Sequence, residues 1–146
     1  MTVMARISPL VTDIRSNLLM PSPFWKEAPV NDDYKKLYAA IDGMRMEDFL
    51  AGLTDDVKVT FGNHPTAAGK EQVRAAIGAF WASIGGLKHN FVNVYNDGPN
   101  QTLEARIDYT RKDGKVVTVP CATLVEWRDH KAASMRILID VGPVYA

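Results

Sequence analysis

Residues 102–127 read TLEARIDYTRKDGKVVTVPCATLVEW. Apolar and polar residues alternate from Leu103 to Thr110. Leu103, Ala105, Ile107 and Tyr109 fall on one face; Glu104, Arg106, Asp108 and Thr110 fall on the other. A period of two marks a strand with one buried face. Lys112-Asp113-Gly114 breaks the pattern, and a Val- and Thr-rich run follows to Trp127. The two runs predict an antiparallel hairpin, and Asp-Gly suits a type I′ turn between them.

Outward from this hairpin the chain keeps its β character. Residues 88–96 read as a strand ending in a turn at Asn96-Asp97-Gly98, with His89, Phe91, Asn93 and Tyr95 on one face. A last strand covers 134–140, where Arg136, Leu138 and Asp140 share a face. Upstream the period lengthens. Val73, Ile77, Phe80, Trp81 and Ile84 recur at helical spacing over about 69–84, and Gly85-Gly86 stops the helix. Residues 62–68 form a loop, and Val57, Val59 and Phe61 alternate as an early strand. Two shorter helices precede it. One runs from a cap at Asn31 or Asp32, carries the stripe Tyr34, Leu37, Tyr38 and Ile41, and stops at Gly43; the other carries Met46, Phe49, Leu50 and Leu53. Helices segregated from an antiparallel meander give an α+β fold of about three helices and five strands or more. The sheet is expected to be strongly curved, a mixed or antiparallel cone wrapped around the helices.

Pro9, Pro21, Pro23 and Pro29 crowd the first 29 residues and forbid a long helix or a central strand there. Residues 1–30 are read as an N-terminal arm, with room for a short helix between Pro9 and Pro21, and residues 31–146 as one domain. At 146 residues and 47 % hydrophobic content the chain can bury a core without metal or disulfide. Lys and Arg total 17, as do Asp and Glu, so the formal net charge is zero and a nucleic-acid partner is not expected. A single cysteine, Cys121, excludes an internal disulfide and any cysteine-based zinc site. No apolar run is long enough for a membrane span and the start does not read as a secretory leader. A cytoplasmic location and no membrane partner are the expectation.

No phosphate-binding glycine loop, His-Glu-x-x-His or nucleophile elbow is present, and no motif implies an organic or metal cofactor. Chemistry must come from acids, bases and hydrogen-bond donors around a cavity. Arg106 and Asp108 are neighbours on one strand face, as a surface ion pair or as site residues. Asp140 closes an apolar strand beside Leu138, as a strand-end acid leading into the Gly142-Pro143 turn or as a carboxylate that does not face solvent. His89 and Tyr38 read as structural residues or as proton-transfer groups. Asn63 reads as turn chemistry or as an amide that positions a water. Phe61, Phe80, Trp81 and Trp127 supply apolar walls for a hydrophobic ligand.

The order of elements, the Gly-Asn-His-Pro loop leading to Gly-Lys-Glu, the Lys-Asp-Gly-Lys hairpin and the closing Ile-Leu-Ile-Asp resemble the ketosteroid isomerase and nuclear transport factor 2-like fold, including SnoaL-like polyketide cyclases. The resemblance covers about 32–145. Limonene epoxide hydrolase is the branch most similar, through Arg106-Ile107-Asp108, Asp140 and Asn63. That resemblance implies Asp140 as base, Asp108 as proton donor, Arg106 as the bridge and Asn63 as a water ligand. Its tyrosine two positions before the Asn is Phe61 here. A second resemblance, to dehydratases of the same scaffold, implies His89 with Asp108 and Tyr38 as an acid–base set for a lyase, isomerase or cyclase. A non-catalytic small-ligand-binding dimer is the third reading. The resemblance implies a homodimer through the outer sheet face. The apolar and aromatic content at Phe61, Phe80, Trp81 and Trp127 suggests a terpenoid- or polyketide-like substrate.

Overall fold

A computed structural model describes residues 31–146, and the readings on residues 1–30 lie outside it. Helix α1 (Asp33–Asp42) and helix α2 (Met46–Ala51) lead into β1 (Leu53–Phe61) and the two-residue β2 (Ala67–Ala68). Helix α3 (Lys70–Ala82) follows, then β3 (Gly86–Asp97), β4 (Asn100–Thr110), β5 (Val116–Arg128) and β6 (Lys131–Ile139), closed by the single turn α4 (Gly142–Tyr145). The strands form one open sheet in the order β2-β1-β6-β5-β4-β3. Only β1 and β6 run parallel, so the sheet is mostly antiparallel and the fold is α+β, as the sequence predicts. Strand β2 and helix α4 are additions to the expected list.

Amphipathicity decides which side of the sheet the helices cover. Leu37, Tyr38 and Ile41 of α1, Phe49 and Leu50 of α2, and Val73, Ile77 and Trp81 of α3 are buried. They pack on Leu103, Val125 and Met135 from the sheet. Turning Glu104 and Arg106 inward instead would strip charges of water with nothing to replace it. Helix α1 does not end on a left-handed glycine. Gly43 stays right-handed at φ −84°, and Met44 takes φ 52°. Met44 N–H donates to Ile41 O and Arg45 N–H to Ala40 O, a Schellman closure around a non-glycine residue.

Two local readings change. The β4–β5 loop is not a two-residue type I′ turn, because only Gly114 has positive φ there. Arg111 N–H donates to Lys115 O and Gly114 N–H to Arg111 O, which closes a longer loop. The pair of consecutive left-handed residues sits instead between β5 and β6, at Asp129 (φ 52°) and His130 (φ 65°). In β3 a bulge between Phe91 and Asn93 breaks the alternation. His89 and Phe91 face inward, but beyond the bulge Val94 packs against the core and Tyr95 is 57 % exposed. One extra residue on a strand exchanges its two faces.

Candidate functional site

The inner face of the sheet and the helices form a small chamber of about 40 Å³. Its wall includes Tyr38 from α1, Trp81 and Phe80 from α3, His89 from β3, Tyr109 from β4 and Thr123 from β5. Such a volume admits a water or one small functional group. Next to it lies an open groove of about 750 Å³, formed by α3, the β1–β2 segment and α4. Ala75, Ala76 and Ala79 keep the α3 side shallow, and Phe61, Ile77 and Phe80 line both spaces. Phe61 and Phe80 meet at 4.8 Å between ring centroids.

His89 is fixed within this wall. Its ring Nδ1 lies 2.6 Å from Asp42 Oδ1, and its backbone N–H donates to Asp42 Oδ2 at 3.0 Å. One carboxylate thus grips the residue at two points. The His89 side chain is 8 % exposed and that of Asp42 26 %. Tyr38 packs edge-on against the imidazole at 4.7 Å, and Phe91 stacks on it at 5.9 Å. If Nδ1 carries the proton given to Asp42, Nε2 holds the free lone pair. Nε2 has no hydrogen-bond partner among the described residues. Tyr38 is held protonated: burial pushes its phenol well above the ordinary range, partly offset by the nearby Thr123 hydroxyl.

The sequence reading does not single out Asp42, yet the residue leaves a trace there. It occupies the last turn of α1, where the helix dipole disfavours an anion. An acid at that end needs a compensating donor, and His89 supplies two. The partner expected for His89, Asp108, is on the opposite face of the sheet. His89 pairs in register with Ile107 and Asp108 with Lys88. Asp108 accepts from Thr118 Oγ1 at 2.5 Å and from Asn90 Nδ2 at 3.1 Å. These two bonds hold its carboxyl below the usual range, with small help from Lys88 and Arg106.

The Asp-Arg-Asp set is not brought together in an enclosed cavity. Arg106 and Asp140 are exposed, and both border an open hollow on the outer face, beside Leu138 and Pro120. Arg106 forms no ion pair among the described residues. Asp140 accepts from Gly142 N–H at 2.9 Å and so tethers the start of α4. Asn63 is exposed in the turn after β1. The physical reason is the strand period: with Leu103, Ala105, Ile107 and Tyr109 inside, Arg106 and Asp108 have to be outside. Of the expected pocket residues, Tyr38, Phe61, Phe80, Trp81 and His89 do meet around the chamber. Trp127 does not. Its indole donates to Gln101 Oε1 at 3.0 Å and it borders a different hollow with Asp33 and His130. Among the described residues no group of three or more His, Cys, Asp or Glu side chains is placed to hold a metal ion, and no helix is long and apolar enough to cross a membrane.

The SnoaL-like domain family matches residues 34–135. No curated protein matches. Among solved structures, a putative SnoaL-like polyketide cyclase from Jannaschia is 21 % identical with TM-score 0.70, covering 82 % of this chain and 93 % of its own. A protein from Catenulispora acidiphila with a ketosteroid isomerase-like fold, in complex with trimethylamine, is 21 % identical with TM-score 0.70, over 81 % and 91 % of the two chains. A limonene epoxide hydrolase-like epoxide hydrolase from M. tuberculosis is 14 % identical with TM-score 0.65, over 77 % and 84 %. These likenesses establish the fold and not the reaction.

Proposed function

Because the chain belongs to the SnoaL-like domain family, whose scaffold serves several chemistries, we propose that it is a cofactor-independent enzyme acting by proton transfer on an apolar small molecule, a lyase, isomerase or cyclase. The observation that carries this is the His89–Asp42 contact in the wall of an apolar chamber. His89 Nε2 takes the proton from the carbon next to a carbonyl. Asp42 keeps the other nitrogen protonated and stabilises the imidazolium that forms. In a dehydration the same proton returns to the departing hydroxyl. The C–H and C–O bonds break, C=C forms, and water leaves. Tyr38, neutral because it is buried, can donate a hydrogen bond as charge builds on the substrate oxygen. Phe61, in place of a water-binding tyrosine, suits a dry chamber.

Water addition to an epoxide through Arg106, Asp108 and Asp140 is the second reading. In its favour, Arg106 and Asp140 border one hollow. Against it, the hollow is open to water, and a carboxyl held below its usual range is a poor proton donor. A panel of β-hydroxy ketones and small epoxides, run on wild type, His89→Gln and Asp140→Asn, separates the two. His89→Gln is expected to lose about 10²–10⁴-fold in dehydration, and Asp140→Asn to lose none. Epoxide opening abolished by Asp140→Asn, with His89→Gln fully active, would overturn the first reading. We further infer a homodimer through the outer sheet face, where Val92, Tyr95, Val116 and Leu138 are each more than half exposed.

A further inference from the structure

The chamber wall carries a polar group that proton transfer through His89 does not use. Tyr109 is 1 % exposed and lines the chamber together with His89, Tyr38 and Thr123. Its ring is set by pairing of β4 with β5, Tyr109 opposite Val117, and by the edge of Phe80 at 5.6 Å. Among the described residues its hydroxyl has no hydrogen-bond partner. A phenol desolvated without a partner forgoes its hydrogen bonds to water and receives nothing back. Phenylalanine would fill the same space without that loss, so contacts among the described residues give the oxygen no structural role. Burial keeps the group protonated, hence a donor. The neighbouring Cys121, Tyr145 and Tyr38 act in the same direction.

The volumes say what such a donor could receive. About 40 Å³ holds a carbonyl group and not a ring, while the adjoining groove of about 750 Å³ holds a ring system. Phe61, Ile77 and Phe80 are the shared wall through which one molecule would occupy both. We propose that Tyr109 is a substrate-binding residue, its O–H donating to the carbonyl oxygen of an apolar ketone that enters the chamber oxygen first and leaves its hydrocarbon body in the groove. This rests on the proton-transfer reading, to which it adds the substrate's orientation and its head-and-body shape.

The test is equilibrium binding by the full chain of 1-tetralone and of tetralin, its hydrocarbon counterpart, read by tryptophan fluorescence, since Trp81 lines the chamber. Wild type binds the ketone more tightly. Tyr109→Phe weakens 1-tetralone about tenfold, leaves tetralin unchanged and does not lower Tm, because the deleted hydroxyl has no hydrogen-bond partner among the described residues. A fall in Tm, an unchanged ketone affinity, or the absence of a ketone preference in wild type overturns the proposal. His89→Gln keeps the ketone preference while losing turnover. Full turnover in His89→Gln with the preference still abolished in Tyr109→Phe sinks the proton-transfer reading and leaves the Tyr109 assignment standing.

Discussion

Asp42 and Asp108 show how one side-chain type is put to different uses by its surroundings. Asp42 spends both oxygens on His89, one on the ring and one on the backbone. The histidine is thereby fixed in orientation, and a proton on Nδ1 is the tautomer that a carboxylate acceptor favours. Asp108 spends its oxygens on Thr118 and Asn90, neighbours on the outer face. Its folded pKa lies below the ordinary value. The stability it adds is therefore present above the ordinary carboxylate range and is lost as pH falls through the folded value. Thr118→Val removes the larger cause. The carboxyl titration of Asp108, followed by NMR, should move up towards the ordinary range, while turnover by the chamber is unchanged. A titration that stays low would mean that Thr118 is not what holds it down. At this scale the sequence shows that Arg106 and Asp108 share a face and makes Tyr38 and His89 candidates. It gives no direct sign of the Asp42–His89 contact, whose members stand 47 positions apart.

Turn geometry, at the scale of elements, is where local signals are weakest. Asp113-Gly114 has the composition of a type I′ turn, yet the chain uses a longer loop closed by the Asp113 carboxylate on Lys115 N–H. Asp129-His130 lacks glycine and still takes left-handed backbone at both positions. The register of β5 on β6 imposes it, since Arg128 pairs with Lys131 and leaves two residues to reverse direction. A non-glycine residue at positive φ costs about 1–2 kcal/mol. The double substitution Asp129→Asn with His130→Gly should therefore stabilise the chain by about 1 kcal/mol. It also removes the hydrogen bond between His130 and Asp33, which is exposed and adds little to stability. Urea unfolding measures the net effect, and an unmoved midpoint would show that the turn carries no strain. The β3 bulge belongs to the same scale. Strict alternation sends Tyr95 inward, and one added residue sends it outward.

Across the whole molecule the two sheet faces divide the work. The inner face makes the core and the chamber. The outer face keeps Leu138 and Tyr95, each 57 % exposed, beside the hollow that holds Arg106 and Asp140. If two copies pair through this face, the hollow is covered and epoxide hydrolysis there loses its access. Leu138→Glu should convert a dimer to a monomer in sedimentation equilibrium, with the chamber's chemistry retained. A wild type that sediments as a monomer would remove the dimer proposal.

Alternation and helical stripes are local properties of each segment, and one face of each element has to leave water. The sequence by itself therefore determined the α+β class, the hairpin at 103–127 and the grouping of Tyr109 with Ile107 and of Arg106 with Asp108. The tertiary structure alone decided what those faces meet. The C-terminal end of α1 was laid against β3 so that Asp42 found His89, and a one-residue bulge turned Tyr95 out. Contacts of that kind depend on how elements separated by tens of residues dock, and no local pattern encodes the docking.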